Sequence, residues 1–453
     1  MTLDPGAPTR HPVAWQRPEF FDGDLLDKEM RRVFDICHGC RRCFNLCGSF
    51  PRLFDLIDDS ATGEVDGVSS ASFESVVNAC TLCDMCFMAM CPYTPPHEWD
   101  VDFPHLMLRY RAKQHRERKK ITSASPRLAE TDKNGRLARF IAPLMNWGAN
   151  KNNRTTRFVL EKIAGIHRKA TLPRYFNPNL VIRANKNPLD INQKAPAFGR
   201  KVALYATCFG NYNSPSIGEA ARAVLAHNGV ETTVIYPRCC GMPQFDQGNI
   251  ERVAKDAQQT ALELCDWIKK GYDIVALVPS CSLMLKLEWP LLVPDNAAIK
   301  DLSKNSFDIS EYIMDIARSE GLTNNLSSVR GDVTLHMACH ARAQNIGYKS
   351  AEMLRLIPNL KVDVIERCSG HGGSMGVTRD FHETASKVGR PVTRKILDSQ
   401  NHLISSECPL AATHIVSETK SMFENDKTRK YSKPPEDAHH PIEILAMSYR
   451  LAW

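Results

Sequence analysis

Thr232-Thr233-Val234-Ile235-Tyr236-Pro237-Arg238-Cys239-Cys240-Gly241 decides how the second half of this chain is read. A β-branched, apolar run halts at a proline, and two adjacent cysteines follow, so the segment predicts a strand that delivers thiols at its carboxyl end. Neighbouring residues of an extended strand face opposite ways; Cys239 and Cys240 therefore serve one site only from a loop, and Gly241 supplies the backbone freedom for that turn. Outward from there, Val202 to Ala206 leads into Cys208 and Asp273 to Val278 leads into Cys281, with helical stretches at Ile217 to His227 and Ile250 to Lys270. Strands alternating with helices predict βαβ units and a mainly parallel sheet, whose ligand sites lie just past the carboxyl ends of the strands. Cys208, Cys239, Cys240 and Cys281 make a full set of four ligands there, the expected third cluster site of the chain.

The unit is repeated. Val333 to Met337 leads into Cys339-His340, Val362 to Ile365 into Cys368-Ser369-Gly370, and His402 to Ser405 into Cys408-Pro409. The cysteines are 31 and 42 residues apart in the first copy and 29 and 40 in the second, which makes an internal duplication the economical explanation. Ser369 stands where the first copy has Cys240. Cys339, Cys368 and Cys408 form an incomplete metal site with His340 and His371 nearby, and three readings stay open: a cluster with a non-cysteine ligand, zinc or another ion, or an empty vestigial fold. Cys265, beside Leu262 and Ile268 in a helical pattern, is read as core filler.

Eight of the sixteen cysteines fall between residues 37 and 91. Cys37, Cys40, Cys43 and Cys47 read CxxCxxCxxxC; Cys80, Cys83, Cys86 and Cys91 read CxxCxxCxxxxC before Pro92. Three thiolates at this spacing wrap one face of a cuboidal cluster, and in two-cluster ferredoxins the fourth cysteine of each run ligates the other cluster. That logic assigns Cys37, Cys40, Cys43 and Cys91 to one [4Fe–4S] cluster and Cys80, Cys83, Cys86 and Cys47 to a second. Zinc, which typically takes two separated CxxC pairs, does not account for triplets repeated twice. Two departures from the bacterial pattern are Gly48 in place of a proline after Cys47 and one extra residue between Cys86 and Cys91.

The net charge of +7 is unevenly spread, because residues 109–174 hold eighteen Lys/Arg against four Asp/Glu. Arg109, Arg111, Lys113, Arg116, Arg118, Lys119 and Lys120 read as a solvated helix face. Leu137, Phe140, Ile141, Leu144 and Met145, then Phe158, Val159, Ile163 and Ile166, recur at helical spacing. Such basic, amphipathic helices either lie in a membrane interface, with anionic lipid attracting the cations, or pack their stripes on the flanking domains. No aromatic-interleaved basic patch or nucleic-acid-binding motif accompanies the charge, so nucleic acid is not an expected partner.

The amino-terminal stretch from Met1 to Pro5 lacks a basic start and an apolar run, and no apolar run approaches the roughly 20 residues of a membrane span. The expected compartment is the reducing cytoplasm, where thiols stay free for metal. No P-loop, GxGxxG or nucleophile elbow is present. The fold class expected is α+β and multi-domain: residues 1–28 a tail, 29–108 a helical ferredoxin-like domain with two [4Fe–4S] clusters, 109–198 a basic amphipathic connector, 199–328 a first cysteine-rich module and 329–453 a second, cysteine-depleted one, each module with a mainly parallel sheet.

Taken together, Cys208-Phe209-x-Asn211-Tyr212-Asn213, Cys239-Cys240-Gly241-x-Pro243, Ser280-Cys281-Ser282 with Glu288-Trp289-Pro290, Cys339-His340 and the stretch from Arg168 to Tyr175 resemble the C subunits of anaerobic glycerol-3-phosphate dehydrogenases. The wider group includes heterodisulfide reductase B subunits and iron–sulfur subunits of glycolate and lactate oxidases, all with cysteine-rich (CCG) modules. The resemblance spans about residues 30 to 450. It implies a non-catalytic iron–sulfur subunit that relays electrons between a flavoprotein dehydrogenase and membrane quinone, attached peripherally at the inner face of the cell membrane through residues 109–174. The alternatives are a redox enzyme acting on a disulfide or other sulfur substrate at the modules, and a soluble electron-transfer partner of an oxidative-stress oxidoreductase. Against the family pattern, Ser369 and Ala411 replace two cysteines of the second module and Met284 leaves the first without a closing CxxC, which weighs against non-cubane clusters and disulfide cleavage.

Overall fold

The computed structural model describes residues 7–117, 126–426, 428 and 431–453. Two four-stranded sheets organise its second half. In the first, β1 (Lys201–Tyr205), β2 (Glu231–Ile235), β3 (Asp273–Ala276) and β4 (Ser306–Asp308) lie in the order β2-β1-β3-β4. In the second, β5 (Val333–His336), β6 (Val362–Ile365), β7 (Leu403–Ser406) and β8 (Ala438–His439) lie in the order β6-β5-β7-β8. Every pairing within the two sheets is parallel, and the register repeats, with Val202 opposite Thr232 and Asp273, and Val333 opposite Val362 and Leu403. The duplication legible in the cysteine spacing is thus a duplication of topology. The outer strands β4 and β8 escape a sequence reading because two or three residues are too short to show a period.

The turns that carry the cysteines also repeat. Gly241 and Gly370 hold φ of +87° and +82° at equivalent points after β2 and β6, a region that residues with a Cβ rarely adopt. A Cβ on Gly370 would lie 2.0 Å from the carbonyl oxygen of Ala385, so this position is closed to any side chain. Between β1 and β2, the helix Pro215–His227 buries Ile217, Ala220, Ala221, Val224 and Leu225, its small residues allowing close approach to the sheet. The last helix, Pro441–Ser448, crosses back to pack on that same helix, and Tyr449 donates its hydroxyl to the carbonyl of Thr323 at 3.3 Å.

The first hundred residues are helical, with Gly23–Cys40, Ser49–Asp58, Phe73–Ala79 and Phe103–Arg116 meeting over an aromatic core. Phe34 meets Phe73 edge-on at 5.0 Å between ring centroids, and Phe50 lies 4.7 Å from Phe103. This core is continuous with that of the first sheet.

Three expectations need correction here. Residues 1–28 are not a tail over their described part: Asp22 caps a helix that starts at Gly23, and the half-buried Arg10 is paired with three carboxylates. The helix Phe103–Arg116 runs across the expected boundary at residue 108, burying Leu106, Met107, Leu108, Arg111 and Ala112. The run of cations on it is not simply a solvated face, because Arg109 donates to the carbonyls of Phe20 and Glu19 and Arg111 is buried. Arg118, Lys119 and Lys120 lie outside the described residues.

Candidate functional site

Helix ends and strand ends bring the cysteines in. Cys37 and Cys40 close the first long helix, where Arg41 turns into the left-handed region, and Cys43 and Cys47 follow in the loop before Ser49. Cys80 caps the helix Phe73–Ala79, Leu82 and Asp84 take positive φ on either side of Cys83, and a single π-turn spans Cys86–Met90 before Cys91. The runs cross over in space. Cys91, Cys43 and Cys40 are the charged neighbours of Cys37, whereas Cys83 and Cys80 are those of Cys47.

In each sheet the cysteines stand just past the carboxyl ends of three neighbouring strands. Cys208 opens the short helix after β1, Cys239 and Cys240 follow β2, and Cys281 sits in the turn of helix after β3. Cys339 opens a helix after β5, Cys368 follows β6, and Cys408 caps the helix Pro409–Glu424 after β7. The sulfurs of Cys208 and Cys239 are 3.8 Å apart, and Cys239 and Cys281 neighbour Cys240.

The four groups form a series. Cys368 neighbours Cys83; Cys339 neighbours Cys83, Cys368 and Cys408; and Cys408 in turn neighbours Cys281. Sequence order therefore differs from spatial order, with the sulfurs of the second copy lying between the amino-terminal ones and those of the first copy. Cys265 is outside the series, buried in its helix with its Sγ donating to the Ala298 carbonyl at 3.2 Å.

The electrostatics show what such a donor set needs. Burial pushes the thiols of Cys37, Cys47, Cys86, Cys339, Cys368 and Cys408 upward, and those of Cys43 and Cys80 to about 11. Contact with the thiols of Cys208 and Cys240 holds Cys239 the other way, below the usual thiol value. Crowded, buried thiols become thiolates only against strong positive charge, which a multi-iron centre supplies, so the donors fit such a group. Among the described residues no three His, Cys, Asp or Glu side chains converge closely enough for a single ion.

Several supporting residues escape the sequence reading. Arg111 reaches from the amino-terminal half to Asp246 at 2.6 Å and to the carbonyls of Val77 and Cys80, a buried clamp at the root of the second triplet. Thr131 places its hydroxyl 3.5 Å from the Cys239 sulfur, and the neighbouring Asp132 accepts from Tyr236 at 2.5 Å. Trp289 donates its ring N–H to the Cys240 carbonyl at 3.0 Å. A polar residue 31 to 135 positions from its partner leaves no local pattern to find.

A cavity of about 1760 Å³ connects the groups, with Cys47, Cys83, Cys281, Cys339, Cys368 and Cys408 on its wall. Its other side is formed by the connector helices Thr131–Ala138, Ala142–Ala149 and Arg154–Ala164, through Leu137, Ile141, Leu144, Met145, Val159 and Leu160. The apolar stripes of these helices are not covered by the flanking modules. Leu137, Leu144 and Trp147 are each 61% exposed, Phe140 69% and Ile163 75%. Among the described residues, no helix is long and apolar enough to cross a membrane.

Residues 202–286 and 333–415 each match the model of the cysteine-rich domain (CCG) family. The chain is 24% identical over 353 residues to the C subunit of the anaerobic glycerol-3-phosphate dehydrogenase of Escherichia coli K12, covering 77% of this chain and 82% of that protein. It is 27% identical over 257 residues to the B subunit of the fumarate reductase (CoM/CoB) of Methanothermobacter marburgensis, covering 55% and 47%. To an iron–sulfur protein of Methanocaldococcus jannaschii it is 28% identical over 236 residues, covering 51% and 44%. This chain thus carries two copies of the cysteine-rich CCG domain and is homologous to the C subunit of anaerobic glycerol-3-phosphate dehydrogenase and to related iron–sulfur proteins.

Proposed function

We propose that this protein is the electron-transfer subunit of an oxidoreductase complex, carrying electrons between a flavoprotein dehydrogenase and membrane quinone. The observation that carries the reading is the series of neighbouring buried and half-buried thiols from Cys37 to Cys240, with the second copy as its middle. Similarity to subunits of a dehydrogenase and a reductase supports it. Cys37, Cys40, Cys43 and Cys91 would hold one [4Fe–4S] cluster, and Cys80, Cys83, Cys86 and Cys47 a second, in a ferredoxin-like arrangement of the amino-terminal helical part. Cys208, Cys239, Cys240 and Cys281 would hold a third cluster, and Cys339, Cys368 and Cys408 a further metal centre. Such groups would supply one-electron sites, and the chain's part would be to hold them on these thiols.

Iron and sulfide counts, with EPR of the reduced full chain, test the assignment in the first copy. Cys239→Ser is expected to remove up to about four irons per chain and one EPR component. An unchanged spectrum and iron content would sink the third cluster.

The membrane contact rests on a different observation. Phe140, Leu144, Trp147 and Ile163 are exposed, and the helices flanking Ala142–Ala149 expose Lys133, Arg136, Arg154 and Lys162, the chemistry of an interfacial surface on anionic lipid, where each cation adds about 1 kcal/mol. Vesicles containing anionic phospholipid should float the protein at low salt and release part of it at high salt. Leu144→Asp with Phe140→Asp should cut the floated fraction about tenfold or more while leaving the iron content intact. Binding that neither salt nor these substitutions alter would reject the contact.

A further inference from the structure

The second copy offers three thiols where a cuboidal cluster takes four ligands. The loop that carries Cys368 turns through three glycines in the left-handed region, Gly370, Gly372 and Gly373, and the Ser369 hydroxyl accepts the backbone N–H of His371 at 3.4 Å. The turn delivers His371 into the interior, onto the cavity wall shared by Cys339, Cys368 and Cys408. His371 is 7% exposed, and its Nε2 has no hydrogen-bond partner among the described residues. A buried polar nitrogen left in this way calls for a partner from outside the protein's own hydrogen bonds.

Burial, with His414 beside it, pushes His371 down to about 3, so its imidazole is neutral near pH 7. His340, the other histidine near these thiols, is differently placed, since its Nε2 lies 3.2 Å from the Leu82 carbonyl oxygen. A carbonyl only accepts, so that nitrogen carries a proton and is already engaged.

We infer that His371 is the fourth ligand of the second copy, completing with Cys339, Cys368 and Cys408 the donor set of an iron–sulfur cluster. The inference rests on the reading that these three thiols hold a cluster. Replacing a thiolate with a neutral imidazole makes the centre one charge less negative and raises its potential, as histidine ligation does at Rieske centres. The substitution of Ser369 for a cysteine then marks a change of ligand type at the middle of the series.

Full-length protein labelled with 15N-histidine, reduced and examined by pulsed EPR alongside iron counts, tests this. A 15N coupling is expected in the unsubstituted protein and in His340→Ala, and is expected to vanish in His371→Ala and His371→Cys. His371→Cys should keep the full iron content and shift one midpoint potential downward; it carries the test alone where His371→Ala fails to fold. Iron loss in Cys339→Ser and Cys408→Ser without any 15N coupling in the unsubstituted protein overturns histidine ligation and leaves the cluster in place. Iron content and spectra indifferent to Cys339→Ser and Cys408→Ser overturn both the cluster and its histidine.

Discussion

Arg10→Ala is expected to cost about 3–5 kcal/mol of stability, the penalty for stranding buried charge by removing its partner. The Arg10 guanidinium donates to Asp102 at 2.8 Å, Asp84 at 2.9 Å and Glu288 at 3.2 Å, joining two helices of the amino-terminal half to the first module, and it stacks over Phe87 at 4.3 Å. The Glu288 side chain is 2% exposed and also receives His105 at 3.0 Å. Burial pushes the carboxyls of Glu288 and Asp102 up, but His105 and Arg10 outweigh it and hold both below the usual carboxylate range. Depressed carboxyl values contribute stability that is complete above the unfolded values, about pH 4–4.5, and is lost as pH falls through the folded ones. Without Arg10 both carboxylates keep the burial, Asp102 loses its main compensating charge and Glu288 one of its two, so their values rise. The deficit of the variant should be largest near neutral pH and shrink on acidification. Urea unfolding of the full chain at pH 7 and pH 5 reads this; a loss below about 1 kcal/mol, or one independent of pH, would show that water reaches the cluster.

Cys86→Ser should have the largest effect on function. Its buried sulfur faces Cys83, Cys80, Cys47 and Cys43, members of both amino-terminal groups, so it stands at the junction between them. Under the proposed assignment the substitution removes about four irons per chain and one cluster's EPR signal, and drops electron transfer between the flavoprotein and quinone to the background of the separated components. Cys265→Ser is the matched control: that thiol is also buried but bonds only to a helix-neighbour carbonyl, and iron content should not change. Full iron in Cys86→Ser would refute the ligand assignment.

The alternative in which the modules act on a sulfur substrate needs thiols or iron open to a substrate. The large cavity reaches the sulfurs of both copies, but its connector side is apolar, which suits a lipid-soluble molecule better than a charged disulfide. This favours the relay reading over the sulfur-substrate enzyme, and the flotation and iron-counting results together separate the two.

What the sequence alone determined is local or periodic. The strands leading to Cys208, Cys239, Cys281, Cys339, Cys368 and Cys408 were legible because β-branched runs end in turn residues, and the copies because equal spacing survives duplication. Gly241 was legible as a turn because few other residues take positive φ. Only the tertiary structure decided the rest. It brought the second copy's sulfurs between the other groups, since helix and sheet packing sets spatial order independently of chain order. It turned Arg111 from a solvated cation into a buried clamp and tied Arg10 to three carboxylates, because a charge is structural only when folding brings carboxylates or carbonyls to it. And it left the stripe at Leu137, Phe140 and Leu144 uncovered, a fact no periodicity contains, because the same helical spacing serves a core and a lipid surface alike.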